Sequence, residues 1–86
     1  MKEIKFFYMP GCPHCRKAEQ LLAELLAAHP EWKSLLITRI DETANPAYAE
    51  QFDYYYVPTF YVGEQKLHEG VPTKQAIESV LKAAAE

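Results

Sequence analysis

Basic clusters, long apolar runs, repeats and linkers are all missing from this chain of 86 residues. Its nine lysines and arginines are scattered from Lys2 to Lys82 and the formal charge is −3. Nothing here offers an electrostatic footprint to a phosphate backbone, so no nucleic-acid partner is expected. No stretch approaches the roughly 18 apolar residues of a spanning helix, so no membrane partner is expected either. The opening Met1-Lys2-Glu3-Ile4-Lys5-Phe6-Phe7-Tyr8 has too short an apolar run for a signal sequence and carries Glu3 and Lys5 inside it. A cytoplasmic location follows as the expectation. Cysteine is scarce as well: two residues are too few for a disulfide scaffold.

What remains is an ordinary globular composition, 49% hydrophobic and 24% charged. Its length suits one domain, residues 1–86, with a modest core, and a monomer is expected. Both cysteines lie in Gly11-Cys12-Pro13-His14-Cys15, after an apolar run and at the start of a helical pattern. Two intervening residues leave the thiols about one helical turn apart, close enough to form a disulfide or share a metal. Pro13 suits the first helical position, which places Cys12 at the helix N-terminus. Unpaired N–H groups and the positive end of the helix dipole favour a thiolate there, and thiolate is the attacking species in disulfide exchange. Cys12 is therefore read as the nucleophile and Cys15, a turn deeper, as the resolving thiol. His14 next to them would add charge stabilisation to the Cys12 thiolate and make the disulfide more oxidising. Arg16 and Lys17 would add positive potential that attracts an acidic thiol.

The remaining pattern is read as follows. Residues 3–8 form a doubly covered strand, and a helix from Pro13 buries Ala18, Leu21, Leu22, Leu25 and Leu26 before His29-Pro30 stops it. Leu35 to Ile40 is a second strand, with Trp32 closing the helix onto it. Asp41 to Asn45 carries turn and cap chemistry, and a short helix runs from Pro46 to about Phe52 with Tyr48 and Phe52 buried. Pro58 to Val62 and Gln65 to His68 form a hairpin about Gly63-Glu64. Thr73 caps a last helix whose stripe is Ile77, Val80, Leu81 and Ala84. The order is β-α-β-α-β-β-α, an α/β chain.

That order, C-P-H-C at the first strand-helix junction and Val57-Pro58-Thr59 before the third strand together resemble the thioredoxin superfamily. The size and Phe7-Tyr8-Met9-Pro10-Gly11 before Cys12 resemble glutaredoxins, and the C-P-H-C tetrapeptide is similar to that of bacterial periplasmic disulfide oxidants. The resemblance implies a thioredoxin-like fold, a four-stranded mixed sheet with flanking helices. It implies a cis Pro58 whose loop faces Cys12, with the Val57 backbone pairing with a substrate as an added strand does. It also makes Val57, Pro58, Tyr56, Thr59 and Gly70 the substrate-binding set, with Tyr56 as an aromatic rim. Where thioredoxins bury an aspartate on the first strand, this chain has Phe6, so the Cys15 proton must leave through water or another group. Where glutaredoxins hold glutathione with a Gly-Gly pair and an acidic cap, this chain reads Gly70-Val71-Pro72-Thr73-Lys74.

The implied activity is thiol-disulfide exchange on protein or low-molecular-weight thiol substrates, with the Cys12-Cys15 disulfide as the redox group and no bound cofactor. An upstream reductase or glutathione supplies the electrons. The alternative is a module that holds a metal or iron-sulfur cluster with the same cysteines. Closed tetrahedral zinc needs about four ligands, and His14, His29 and His68 are scattered, so no metal is assigned.

Overall fold

Ile4–Tyr8 forms β1, and Ile4, Phe6 and Phe7 on it are fully buried. Helices cover both faces of the strand, which is why its apolar residues are consecutive rather than alternating. Ile37–Asp41 forms β2, parallel to β1 with Tyr8 opposite Asp41. Thr59–Val62 forms β3, antiparallel to β1 with Phe7 opposite Thr59. Gln65–Glu69 forms β4, which returns along β3 and sets Glu69 opposite Thr59. The sheet is mixed, in the order β2-β1-β3-β4. The registers bring Tyr8, Asp41, Thr59 and Glu69 to one margin of the sheet. The computed structural model describes all residues, Met1–Glu86.

Two helices cover one face. Pro13–Ala28 forms α1 and buries Ala18, Leu21, Leu22 and Leu25; Lys74–Ala85 forms α3 and buries Ile77, Val80, Leu81 and Ala84. Both pack with Ile4, Phe6, Phe60 and Val62 in the main core, where each buried aliphatic or aromatic side chain contributes about 1.5–3 kcal/mol. Thr73 caps α3 by accepting the Ala76 N–H at 3.1 Å, as its residue type predicts. The other face is smaller and more aromatic: Phe7, Ile40 and Tyr61 pack with Ala49, and Phe52, Tyr54 and Val57 lie against them. Pro46–Ala49, the short α2, covers this side.

Two boundaries differ from the sequence pattern by more than a residue, and one expected cap is not formed. The second strand begins at Ile37 rather than Leu35, because Pro30–Ser34 winds into a 3-10 turn. Proline with its fixed φ starts such a turn readily, and Trp32 stacks on His29 with ring centroids 4.2 Å apart. The second helix ends at Ala49, not near Phe52, because the Gln51 and Phe52 N–H groups bond three residues back and tighten the chain into a turn. Ala49 is its buried residue and Tyr48 is exposed. Asn45 does not cap α2 through its side chain. Its amide donates to the Asp41 carbonyl at 3.1 Å, while the Asp41 carboxylate accepts the Thr43 and Ala44 N–H groups.

Candidate functional site

The chain leaves β1 through a turn at Met9-Pro10-Gly11, where Gly11 takes a φ of +78° that other residues rarely adopt. The turn closes as the Cys12 N–H donates to the Met9 carbonyl at 3.3 Å. Cys12 is the N-cap of α1, with extended backbone, and its Sγ accepts the Cys15 N–H at 3.2 Å. The sulfur thus occupies the place of the capping oxygen in an ordinary helix and satisfies a donor that has no partner within the helix. Pro13 follows at the first helical position, where its missing N–H costs nothing. Both cysteines are free thiols and both are largely buried, Cys12 at 8% exposure and Cys15 at 4%.

The two sulfurs are unequal. Burial pushes the Cys15 thiol up to about 12, helped by its hydrogen bond to the Cys12 sulfur and by the negative charges of Cys12 and Glu42; the Met9 backbone opposes this more weakly. The proton on Cys15 is therefore held firmly in the reduced form. Beside it lies a cavity of about 190 Å³ lined by Phe6, Tyr8, Gly11, Cys15, Arg16 and Glu19, among others. Phe6 itself is fully buried and stacks on Phe60 at 4.5 Å, so the strand offers Cys15 no titratable group at that position. Glu19 is the one carboxylate in the lining, and Arg39 binds it in a two-pronged pair at 2.8 and 2.9 Å.

The second wall of the site is the segment from Asp53 to Pro58, which enters β3. The register of β1 with β3 brings Val57-Pro58 to the end of the sheet from which the chain runs to Cys12. The Val57-Pro58 bond is cis, as the family resemblance implies. The segment has no regular structure, and side chains hold it instead. Tyr61 donates its hydroxyl to the Asp53 carbonyl at 2.9 Å, and Tyr54 donates to Glu42 at 2.8 Å. Glu69 accepts the N–H groups of both Tyr55 and Tyr56 on one oxygen, and the Thr59 hydroxyl donates to the Tyr56 carbonyl. The Gly70 N–H donates to the Pro58 carbonyl at 2.9 Å. Neither the N–H nor the C=O of Val57 has a partner in the chain.

These positions sort the residues singled out from the sequence. Cys12, Pro13 and Cys15 come together at one helix start, and Val57 and Pro58 lie at the same end of the sheet. Tyr56 is 70% exposed and free to form a rim. His14 is exposed and forms no hydrogen bond with either sulfur; the donor on Cys12 is the Cys15 amide. Arg16 and Lys17 are exposed on the first turns of α1. Thr59 is fully buried with its hydroxyl turned to Tyr56, so it supports the loop from inside and offers no surface to a substrate. The Gly70 N–H is likewise committed to Pro58. Glu69 escaped the sequence reading as a site residue, and Glu42 and Tyr61, read only as parts of the turn from Asp41 to Asn45 and of the third strand, also hold the loop. Counting back across the Gly63-Glu64 turn pairs Thr59 with His68; an irregularity between Phe60 and Tyr61 shifts the register by one and sets Glu69 there instead, so the pattern held no direct signal for it. No group of three or more His, Cys, Asp or Glu side chains is placed to hold a metal ion, and no helix is long and apolar enough to cross a membrane.

Comparison with known proteins adds the following. Residues 2–82 match the family model described as a thioredoxin domain. The chain is 29% identical over 80 residues to a thioredoxin of Methanocaldococcus jannaschii, covering 93% of this chain and 92% of that protein. It is 34% identical over 73 residues to protein disulfide isomerase-like 1-1 of Arabidopsis thaliana, covering 80% of this chain and 15% of that protein. It thus spans only a small fraction of the length of the plant isomerases it matches. Mitochondrial thioredoxin 3 of Saccharomyces cerevisiae superposes with a TM-score of 0.72 at 24% identity, covering 95% of this chain and 77% of the other, and so shares the fold.

Proposed function

Because this chain belongs to the thioredoxin domain family, we propose that it is a thiol-disulfide oxidoreductase that reduces disulfides of protein or small-thiol substrates through Cys12 and Cys15. The observation that carries the reading is the buried dithiol at the start of α1, with the Cys15 amide on the Cys12 sulfur. A thiolate at Cys12 keeps that N–H and gains from it, since a charged acceptor strengthens the bond.

The cycle follows from the unequal thiols. The Cys12 thiolate attacks one sulfur of the substrate disulfide. That bond breaks, a Cys12-substrate disulfide forms, and the other substrate sulfur leaves and takes a proton. Burial still holds the Cys15 proton, but the added hold from the hydrogen bond to Cys12 and its negative charge is then lost, and Cys15 deprotonates more readily. Its proton passes to water in the adjoining cavity. The Cys15 thiolate attacks Cys12 Sγ, the second substrate thiol leaves, and the protein is left with a Cys12-Cys15 disulfide. Two electrons from an upstream dithiol reductase or from glutathione restore it. No other cofactor enters, and the cycle suits a reducing, cytoplasmic setting.

A protein substrate lies along the Asp53–Pro58 loop and pairs its main chain with the free N–H and C=O of Val57, as an added strand does. Pro58 and the exposed Tyr56 flank it, and Gly70 braces the loop from behind.

The test is insulin reduction with dithiothreitol as electron source. The protein accelerates it, Cys12→Ser abolishes the acceleration, and Cys15→Ser accumulates a mixed disulfide that is visible on a non-reducing gel. Turnover no faster than dithiothreitol alone, or full activity in Cys12→Ser, would overturn the assignment.

A further inference from the structure

The geometry points to Glu69 as a positioning residue that orients the Val57 main chain for protein substrates, a role that rests on the exchange activity proposed above. A peptide unit is rigid and planar, so fixing one of its polar groups fixes the other. Glu69, at the end of β4, accepts the Tyr55 and Tyr56 N–H groups and so fixes the two consecutive peptide planes that lead to Val57. The next plane contains the Tyr56 carbonyl and the Val57 N–H. Thr59 holds it by donating its hydroxyl to that carbonyl. Beyond Val57, the Gly70 N–H holds the Pro58 carbonyl. The planes that flank the Val57-Pro58 unit on both sides are therefore tied down by β3, β4 or the residue that follows β4, while the Val57 N–H and C=O are left free for an incoming strand.

The carboxylate suits this task. It sits at the last residue of β4, opposite Thr59 in the sheet register, so the two side chains that hold the planes leading into Val57 are themselves held together by the sheet. One of its oxygens serves the loop and the other pairs with Lys66 Nζ at 2.7 Å. Its side chain is one-fifth exposed, and the bonds from Lys66, Tyr55 and Tyr56 hold the carboxyl down at about 2, so it remains an acceptor across the working pH range. A loop held in its binding geometry before substrate arrives spends less binding energy on ordering, and this appears in KM.

Three variants and two disulfides test the role. Insulin offers a peptide backbone to Val57, whereas hydroxyethyl disulfide offers none. Glu69→Ala is expected to raise KM for insulin by about 5-fold or more while leaving kcat, and the rate on hydroxyethyl disulfide, within about twofold of the parent. Glu69→Gln, which keeps an acceptor oxygen, recovers much of the loss. Lys66→Met, which removes the ion pair but not the loop bonds, behaves as the parent does. An unchanged insulin KM, an equal fall on both disulfides, or the same defect in Lys66→Met would overturn it. Amide hydrogen exchange gives a readout that needs no turnover. The Tyr55 and Tyr56 amides exchange faster in Glu69→Ala, and unchanged exchange sinks the positioning role alone. A parent protein that reduces neither disulfide sinks the exchange activity instead.

Discussion

The two walls of the site are held by different physics. Cys12 and Cys15 ride on α1, whose inner face is buried against the sheet and α3 through Ala18, Leu21, Leu22 and Leu25. That adhesion is non-directional and spread over many side chains. The facing loop from Asp53 to Pro58 has such burial only at Tyr54, Val57 and Pro58, and Tyr55 and Tyr56 between them are 87% and 70% exposed. Its shape depends on a few directional bonds from Glu69, Thr59, Tyr61, Glu42 and the Gly70 amide. A fold can thus fix its nucleophile with the same burial that stabilises the whole domain, and tune its substrate wall one polar group at a time. Damage to the first wall should be read in stability, and damage to the second in KM.

The sharpest way to break this division is a cavity in the helix wall. Leu22→Ala empties a site that is 1% exposed and is expected to cost about 2–5 kcal/mol in urea unfolding. KM for insulin stays unchanged for the folded fraction, and a large rise in KM there would show that the walls are not separable. The next test uses pH. Cys15 is raised above its ordinary 9.0 by burial, so the folded reduced protein holds a proton that the unfolded chain releases. Its contribution is complete below 9.0 and is lost as pH rises toward about 12. The urea midpoint of the reduced protein should fall over that range more steeply than that of Cys15→Ala; equal slopes would refute the burial argument. The smallest effect is expected from Tyr61→Phe, which removes only the hydroxyl bond to Asp53 and should cost about 0.5–1.5 kcal/mol. Its insulin KM should rise less than that of Glu69→Ala, because Asp53 lies farther from Val57 along the chain.

The same contrast explains what could be read from the sequence. The helix wall was legible because periodicity and caps are local: Ile77, Val80, Leu81 and Ala84 are all buried as their spacing requires, and Thr73 caps as its type requires. The dithiol and its place at a helix start were legible for the same reason. The loop wall was not, because a carboxylate fourteen residues from the amide that it holds leaves no periodic trace. Thr59 shows the difficulty well. Its neighbour Pro58 marks it as part of the site, but the hydroxyl turns back to the Tyr56 carbonyl and the residue is fully buried, which its type and position do not announce. Local chemistry also misled at Asn45-Pro46, where a good helix start was followed by too few bonds to carry the helix past Ala49.

The hydrogen that links the Cys15 amide to the Cys12 sulfur gives the molecule an internal gauge. In the cycle proposed above its acceptor is successively an anion, half of a bond to substrate and half of a bond within the chain, so the electron density facing that proton would change at every stage. A single peak in a nitrogen-proton spectrum can therefore follow the state of the dithiol in real time, with no dye, no tag and no knowledge of the natural substrate.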